Sequence, residues 1–153
     1  MSAVSFQVED WAKARPDMEW LWPMHWQEVA NDRDKIPLDV WFEAYDQLAD
    51  MGQLHIVTAR VGALLVGYHW SIIRPHLHYH SCLTAFTDIY YLHPDHRKGM
   101  TGLALMRFFE QSVKAKGVRK IYTAHKEKLD KGIIFERLGY QKSEIVYTKY
   151  IGE

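Results

Sequence analysis

Cysteine is nearly absent from this 153-residue chain: Cys82 stands alone, so no disulfide can close within it, which suits a reducing cytoplasm. Long apolar runs are missing too. Stretches such as Val61–Tyr68 fall far short of the roughly 20 residues that a membrane-spanning helix needs. The opening residues, MSAVSFQVEDW, lack a basic stretch followed by an apolar run, which argues against a secretory signal. There is no excess of either charge, since 19 Lys and Arg meet 19 Asp and Glu. That balance removes the global electrostatic case for a nucleic acid or an anionic membrane as partner. No repeat, low-complexity run or Pro/Gly/Ser-rich linker divides the sequence. These absences leave one soluble, cytoplasmic domain over residues 1–153 as the expectation. Aromatic residues are what the chain has in quantity. They make up 14% of it, with six Trp and nine Tyr, enough that rings must fill much of the core or line a pocket.

The periodicity predicts an α/β domain. A short strand over Ser5–Glu9 precedes helices, with Pro23 placed where a first helical turn accepts it and Trp22, Trp26 and Val29 on one face. A helix from about Asp39 puts Trp41, Tyr45 and Leu48 on one stripe and ends at Gly52. Leu54–Arg60, Ala63–Ile73 and Leu83–Leu92 read as strands, rich in β-branched and aromatic residues, with Gly62 at the first connection. A helix follows with Gly102, Leu105, Met106, Phe109 and Val113 at helical spacing, closed by Gly117. Val118–Ala124 reads as a strand, Leu129–Leu138 as a helix and Glu144–Ile151 as a last strand. The sum is a mixed, largely covered sheet with helices around it.

Chemistry concentrates in the segment Tyr90–Leu105. A strand ends at Leu92, Pro94 forces a turn, and a helix begins near Met100; Arg97, Lys98, Gly99 and Gly102 lie between or at the join. Free amides at a helix start attract anions, the glycines let backbone approach a ligand, and Arg97 and Lys98 add charge. A diphosphate is the natural guest. On spacing alone, an ordinary strand-turn-helix with solvated basic residues fits as well.

The same residues resemble the acetyl-CoA signature of the GNAT superfamily of N-acetyltransferases, usually P-x-x-R-G-x-G-x-G-x-x-L: here Pro94-x-x-Arg97, then Gly102-x-x-Leu105. Ile134-Phe-Glu-Arg-Leu-Gly-Tyr140 is similar to the family's l-Y-E-K-x-G-F segment, and the element order matches from about Leu54 to Ile151. The resemblance implies a GNAT fold with a central sheet of six to seven strands and about four helices. It also implies acetyl-CoA as acyl donor, held by Tyr90, Leu92, Arg97, Lys98, Gly99, Met100, Thr101, Gly102 and Phe135. There are departures from the pattern: Met100 stands where the middle glycine falls, and Lys128 where an Asn is frequent. The tyrosine that many members use as general acid falls at Phe135, whose ring cannot give up a proton.

Further implications follow from the likeness. Backbone amides near Tyr90 and Leu92 would hold the thioester carbonyl and pantetheine arm, because a fixed N–H stabilises the oxyanion that amine attack creates. The amine must be neutral to attack, and Asp88, two residues before Tyr90 and expected on the same strand face, is the candidate base; a carboxylate bonded to a Tyr hydroxyl or backbone is the plain alternative. In that fold the first two helices and the loops before the central strand build the acceptor site, which implies Trp26, Glu28, His78 and Tyr79. Alternating His76, His78 and His80 can in principle ligate zinc, but no third ligand of suitable spacing offers itself, so no metal is expected. His125, at a strand end, is a candidate proton relay or a surface histidine. Cys82 lies away from both motifs, which argues against an acyl-cysteine route. The acceptor is expected to be a small-molecule or protein amine, with a homodimer through the C-terminal strands as the family's habit. The alternative is a GNAT-fold binding module that acts through a macromolecular partner. The texture of the Pro-His-Leu-His-Tyr and Asp-Ile-Tyr-Tyr-Leu stretches resembles phage- and prophage-borne members.

Overall fold

The computed structural model describes residues 3–153. Its sheet has five strands in chain order: β1 (Ser5–Glu9), β2 (Leu54–Val61), β3 (Leu64–Pro75), β4 (Leu83–Leu92) and β5 (Lys120–Tyr122). The first four pair antiparallel, as tight connections such as the one at Gly62 (φ 58°) require, and β5 joins β4 in parallel. A near-continuous helical run holds α1 (Trp11–Met18), a 3-10 turn (Glu19–Leu21) and α2 (Trp22–Val29). The other helices are α3 (Phe42–Asp50), α4 (Thr101–Ala115) and α5 (Gly132–Arg137). Among the described residues the α-helices fall into four runs, with separate 3-10 turns over Pro94–His96 and Glu127–Leu129.

Each face of the sheet carries its own core. Trp11, Met18, Leu21 and Trp22 pack on Ile56, Tyr68, Trp70 and Tyr91 on one face. On the other, Leu105, Phe109 and Val113 of α4 lie against Val57, Ile73 and Ala85. Strand alternation sorts the two sets, since Tyr68 and Trp70 point one way and His69 and Ile73 the other. A Cβ at Gly67 would meet the Tyr91 carbonyl oxygen at 2.7 Å and the Leu92 side chain at 2.8 Å, so only glycine fits where β3 passes the end of β4.

Three expectations are corrected. The sheet has five strands, not six or seven, because Glu144–Ile151 finds no partner: residues 140–153 form no regular structure, and Ile145, Val146, Tyr147 and Ile151 are exposed. The helix carrying Tyr45 and Leu48 starts at Phe42 rather than Asp39, which leaves Trp41 at its N-cap and 71% exposed, although all three residues line one cleft. The last helix starts at Gly132 rather than Leu129, since Glu127–Leu129 makes a 3-10 turn and Asp130 takes an extended ψ of 115°. The Asp130 carboxylate then accepts from the Gly132 amide at 2.7 Å.

Two features of β4 place the candidate site. First, β4 and β5 pair only from Thr84 to Phe86, so the last six residues of β4 run on with one edge open. Second, Trp70 pairs with Ile89 while Ser71 pairs with Thr87, which leaves Asp88 as an extra residue in a β-bulge.

Candidate active site

Beyond β4 the chain makes a 3-10 turn over Pro94–His96, with Pro94 at its start and the His93 ring accepting from the Asp95 amide. It then reaches α4 through Gly99, whose φ of 60° is the left-handed backbone that glycine adopts freely. Ala104 is the first residue to bond back four positions, to the Met100 carbonyl, so the amides of Gly102 and Leu103 have no partner within the helix. A Cβ at either Gly99 or Gly102 would find no atom within 4 Å, which leaves open space in front of this helix end. Met100 is exposed, and Thr101 Oγ1 donates to the Lys98 carbonyl at 3.0 Å, tightening the turn.

Arg97 does something other than face that space. Its Nε donates to the Leu92 carbonyl at 2.6 Å and its two terminal nitrogens grip both Glu28 oxygens at 2.7 Å each. The guanidinium also lies over the Tyr91 ring at 5.1 Å. The hydrogen bonds from Arg97 hold the Glu28 carboxyl below its ordinary range. Two predicted residues are therefore brought together, but with each other: Glu28 of α2 clamps the turn through Arg97, and Lys98 is left as the turn's uncommitted cation.

The open edge of β4 carries the predicted amides. His93 N bonds to the Val66 carbonyl, and in an antiparallel pair that register turns the Tyr91 amide toward β3 and those of Tyr90 and Leu92 away from it. They face the gap that opens beyond β5. The Tyr90 hydroxyl reaches across to the Ala124 carbonyl at 2.9 Å, and burial raises its pKa to about 12. Phe135 of α5 meets the Tyr90 ring edge-on at 6.3 Å and stacks on His125 at 5.9 Å, so the two predicted aromatic residues share one wall. His125 lies 3.3 Å from Asp130 and its Nδ1 contacts the Lys126 carbonyl at 3.0 Å.

Asp88 is not on the face of Tyr90. The bulge shifts the alternation by one, so Tyr90 stacks on His69 beneath α4 while Asp88 turns to the side of α1–α3. There its Oδ2 accepts from Tyr45 Oη at 2.5 Å and from Trp70 Nε1 at 2.8 Å. Burial, then the bond to Asp88, raises the Tyr45 pKa well above the ordinary phenol range. Asp88 and Trp26 both line a cleft of about 460 Å³ bounded by α2, α3 and the sheet. His25, Tyr45, Tyr68 and Trp70 line it too, and the motif reading did not single them out as site residues; the Tyr68-x-Trp70 alternation in a strand beside an aromatic helical stripe is the signal that could have found them. His25 Nδ1 contacts the Tyr68 hydroxyl at 2.8 Å, and burial lowers its pKa to about 4, so the ring is neutral.

His78 and Tyr79 do not line this cleft. They sit in the exposed β3–β4 connection, at the end of β4 away from Leu92, because the strand is ten residues long and carries that loop far from the gap. His76 stacks there on Phe86 and Tyr122 instead. Among the described residues no group of His, Cys, Asp or Glu could hold a metal ion, and no helix is long and apolar enough to cross a membrane.

The mixed five-stranded sheet with its four helical runs is a GNAT-like α/β fold. Among solved structures, the chain is similar to a transcriptional regulator from Bacillus halodurans C-125 (TM-score 0.76, 18% identity, 97% of this chain and 100% of that one). It is also similar to an aminoglycoside acetyltransferase from an uncultured soil metagenomic sample, solved with trehalose (0.74, 11%, 98% and 97%). A third is a predicted acetyltransferase from Clostridium acetobutylicum, solved with acetyl-CoA (0.70, 10%, 97% and 97%). No protein-family model matches the chain, and no curated protein matches it in sequence. At these identities the likeness shows the fold.

Proposed function

We propose that the protein is an acetyl-CoA-dependent N-acetyltransferase that passes the acetyl group directly to a primary amine in a ternary complex. One juxtaposition carries this reading: the open edge of β4, with outward amides at Tyr90 and Leu92, lies between a helix start with vacant amides and a cleft holding a carboxylate. The fit to acetyl-CoA rests on this chain's own backbone. Free space at Gly99 and Gly102 and the unpartnered amides at the start of α4 suit a diphosphate, with Lys98, Met100 and Thr101 completing the turn. Arg97 serves by holding that turn to α2 through Glu28.

Acetyl-CoA supplies a thioester whose carbonyl carbon takes the amine and whose sulfur leaves. The rest falls to side chains and amides of the protein. A Tyr90 or Leu92 N–H would support the charge that develops on the carbonyl oxygen. Asp88 would take the proton that the ammonium must lose before it attacks, directly or through one water. Phe135, packed on Tyr90 and His125, walls the site without a proton to give.

Calorimetry with acetyl-CoA tests the reading. Binding is expected in wild type and is expected to fall at least about tenfold in Gly102→Glu, which fills the vacant space and repels phosphate. No binding by the folded wild type overturns it. Phe135 in the tyrosine's position favours a second reading, a module that binds without turning over; release of free thiol from acetyl-CoA in the presence of an amine decides against it. The exposed apolar segment at residues 145–151 supports pairing with a second copy of the chain.

A further inference from the structure

The cleft between α2, α3 and the sheet says more about the amine than that it is one. Its lining contains no Lys or Arg among the described residues, and its only carboxylates are Asp88 and Asp39. Asp39 is exposed, and among the described residues no side-chain hydrogen bond orients its carboxylate. Asp88 is different, because both donors that fix it, Tyr45 and Trp70, bond to the same oxygen, Oδ2. Among the described residues no hydrogen bond engages Oδ1, and Asp88 is open to solvent, so a carboxylate already oriented by two donors presents its second oxygen.

Apart from His25 and Asp39, the rest of the cleft lining is apolar or aromatic. Tyr45 packs on Trp70 at 5.2 Å and Tyr68 stacks on Trp70 at 5.3 Å, forming the floor. Val29, Ile72 and Ile89 add aliphatic wall. His25 adds no cationic repulsion, being neutral and bonded to Tyr68. At the mouth stand Trp41 and Leu38, 71% and 43% exposed, apolar surface on the lining itself with nothing covering it.

We propose that the acceptor is a small amine with one ammonium group and an aromatic or branched apolar body: Asp88 Oδ1 takes the ammonium, the Tyr45–Trp70 floor takes the body, and Trp41 covers it. This rests on the transferase reading only in calling the ligand an acceptor. The physical case is charge matching. One fixed carboxylate balances one cation, and aromatic faces add to the attraction. A polyamine or a multiply charged aminosugar would bring further ammonium groups against Val29, Ile72 and Trp41 with no partner, which costs far more than the walls return. The volume, about 460 Å³, lies in the range of small-molecule sites and suits a ligand of one ring and a short arm.

The test separates binding from turnover. Tryptophan fluorescence of the full chain, with and without CoA, is titrated with 2-phenylethylamine, spermidine and kanamycin. Phenylethylamine is expected to bind at least about tenfold more tightly than either polycation. Asp88→Asn is expected to weaken it about tenfold or more, and Trp41→Ala, a change at an exposed position, several-fold. Equal or tighter binding of spermidine or kanamycin, indifference to both substitutions, or no binding of phenylethylamine overturns the inference. Release of thiol from acetyl-CoA is measured separately. Phenylethylamine that binds as expected but is never acetylated removes the transferase reading and leaves the cleft's preference standing. Turnover that favours the polycations does the reverse.

Discussion

Glu9 and Arg60 lie nearly out of water where β1 meets β2, with side chains 3% and 10% exposed. Arg60 also reaches Asp17 of α1 at 2.8 Å, and Thr58 donates to Glu9 as well. Burial alone would raise the Glu9 pKa, but the hydrogen bonds from Arg60, Thr58 and Gln7 outweigh it and bring it to about 2. Three histidines share the reverse situation. Burial, the largest cause for each, lowers His25 and His55 to about 4 and His69 to about 3. All four groups therefore bind protons more readily when unfolded. Stability should fall as pH drops below about 6.5, where unfolded histidine charges, and more steeply below about 4.5, where unfolded glutamate protonates. Denaturant unfolding at pH 7.5, 5.5 and 4 checks the first limb, and a flat response there would contradict it. Glu9→Gln should flatten the limb below about pH 4.5 while costing about 1–3 kcal/mol at pH 7, since it weakens the charge-assisted bonds to Arg60 and leaves Asp17 as its one charged partner among the described residues.

The bulge in β4 and the clamp on the turn decide the site at the scale of elements. Alternation along Leu83–Leu92 predicts Asp88 and Tyr90 on one face, and that expectation fails at one residue, because a bulge leaves no mark in a sequence whose strand residues all favour β structure. The register, by contrast, turns outward the amides of Tyr90 and Leu92, the two positions at which the GNAT likeness implies a hold on the thioester and pantetheine arm. The partnership of Arg97 with Glu28 was not legible, since 69 positions separate them and each was assigned a different ligand. Its two parallel bonds tie α2, which lines the cleft that holds Asp88, to the turn before α4. Arg97→Ala and Glu28→Ala should each cost about 1–2 kcal/mol, and the double variant less than their sum, because either change alone leaves a half-buried charge unpaired. In acetyl transfer, both single variants should raise KM for acetyl-CoA more than they lower kcat, as expected of residues that hold a binding turn without touching the reacting atoms. Additive costs, or an effect confined to kcat, would refute the clamp. Gly67→Ala, where a Cβ would strike the Tyr91 carbonyl, should lower stability by about 1–3 kcal/mol in thermal unfolding.

Across the whole molecule, local periodicity identified most elements: Ser5–Glu9 and Leu83–Leu92 match residue for residue, and Leu54–Val61 and the long helix α4 agree within a residue or two at most ends. The segment Glu144–Ile151 was read as a strand for sound local reasons, being rich in β-branched and aromatic residues, yet it pairs with no strand among the described residues. Its apolar residues fall at odd and even positions alike, with Ile145, Tyr147 and Ile151 on one parity and Val146 on the other, each at least 78% exposed. A strand apolar on both faces is the pattern of one buried on both faces. The sheet ends at β5, whose outer edge carries unpaired backbone groups, and such edges are natural templates for a further strand. Both halves of a pairing are thus present on one chain, and two copies would satisfy each other by symmetry. Light scattering behind size exclusion should give twice the mass of one chain at micromolar concentration. Removal of residues 143–153 should halve it while circular dichroism keeps the helical signal, since the described core contacts none of these residues. A monomer in the intact chain, or a dimer that survives the truncation, would leave the apolar tail without this explanation. Two added charges, as in Val146→Glu with Tyr147→Lys, should have the effect of truncation without shortening the chain, because both faces of the strand would then carry a buried, unpaired charge.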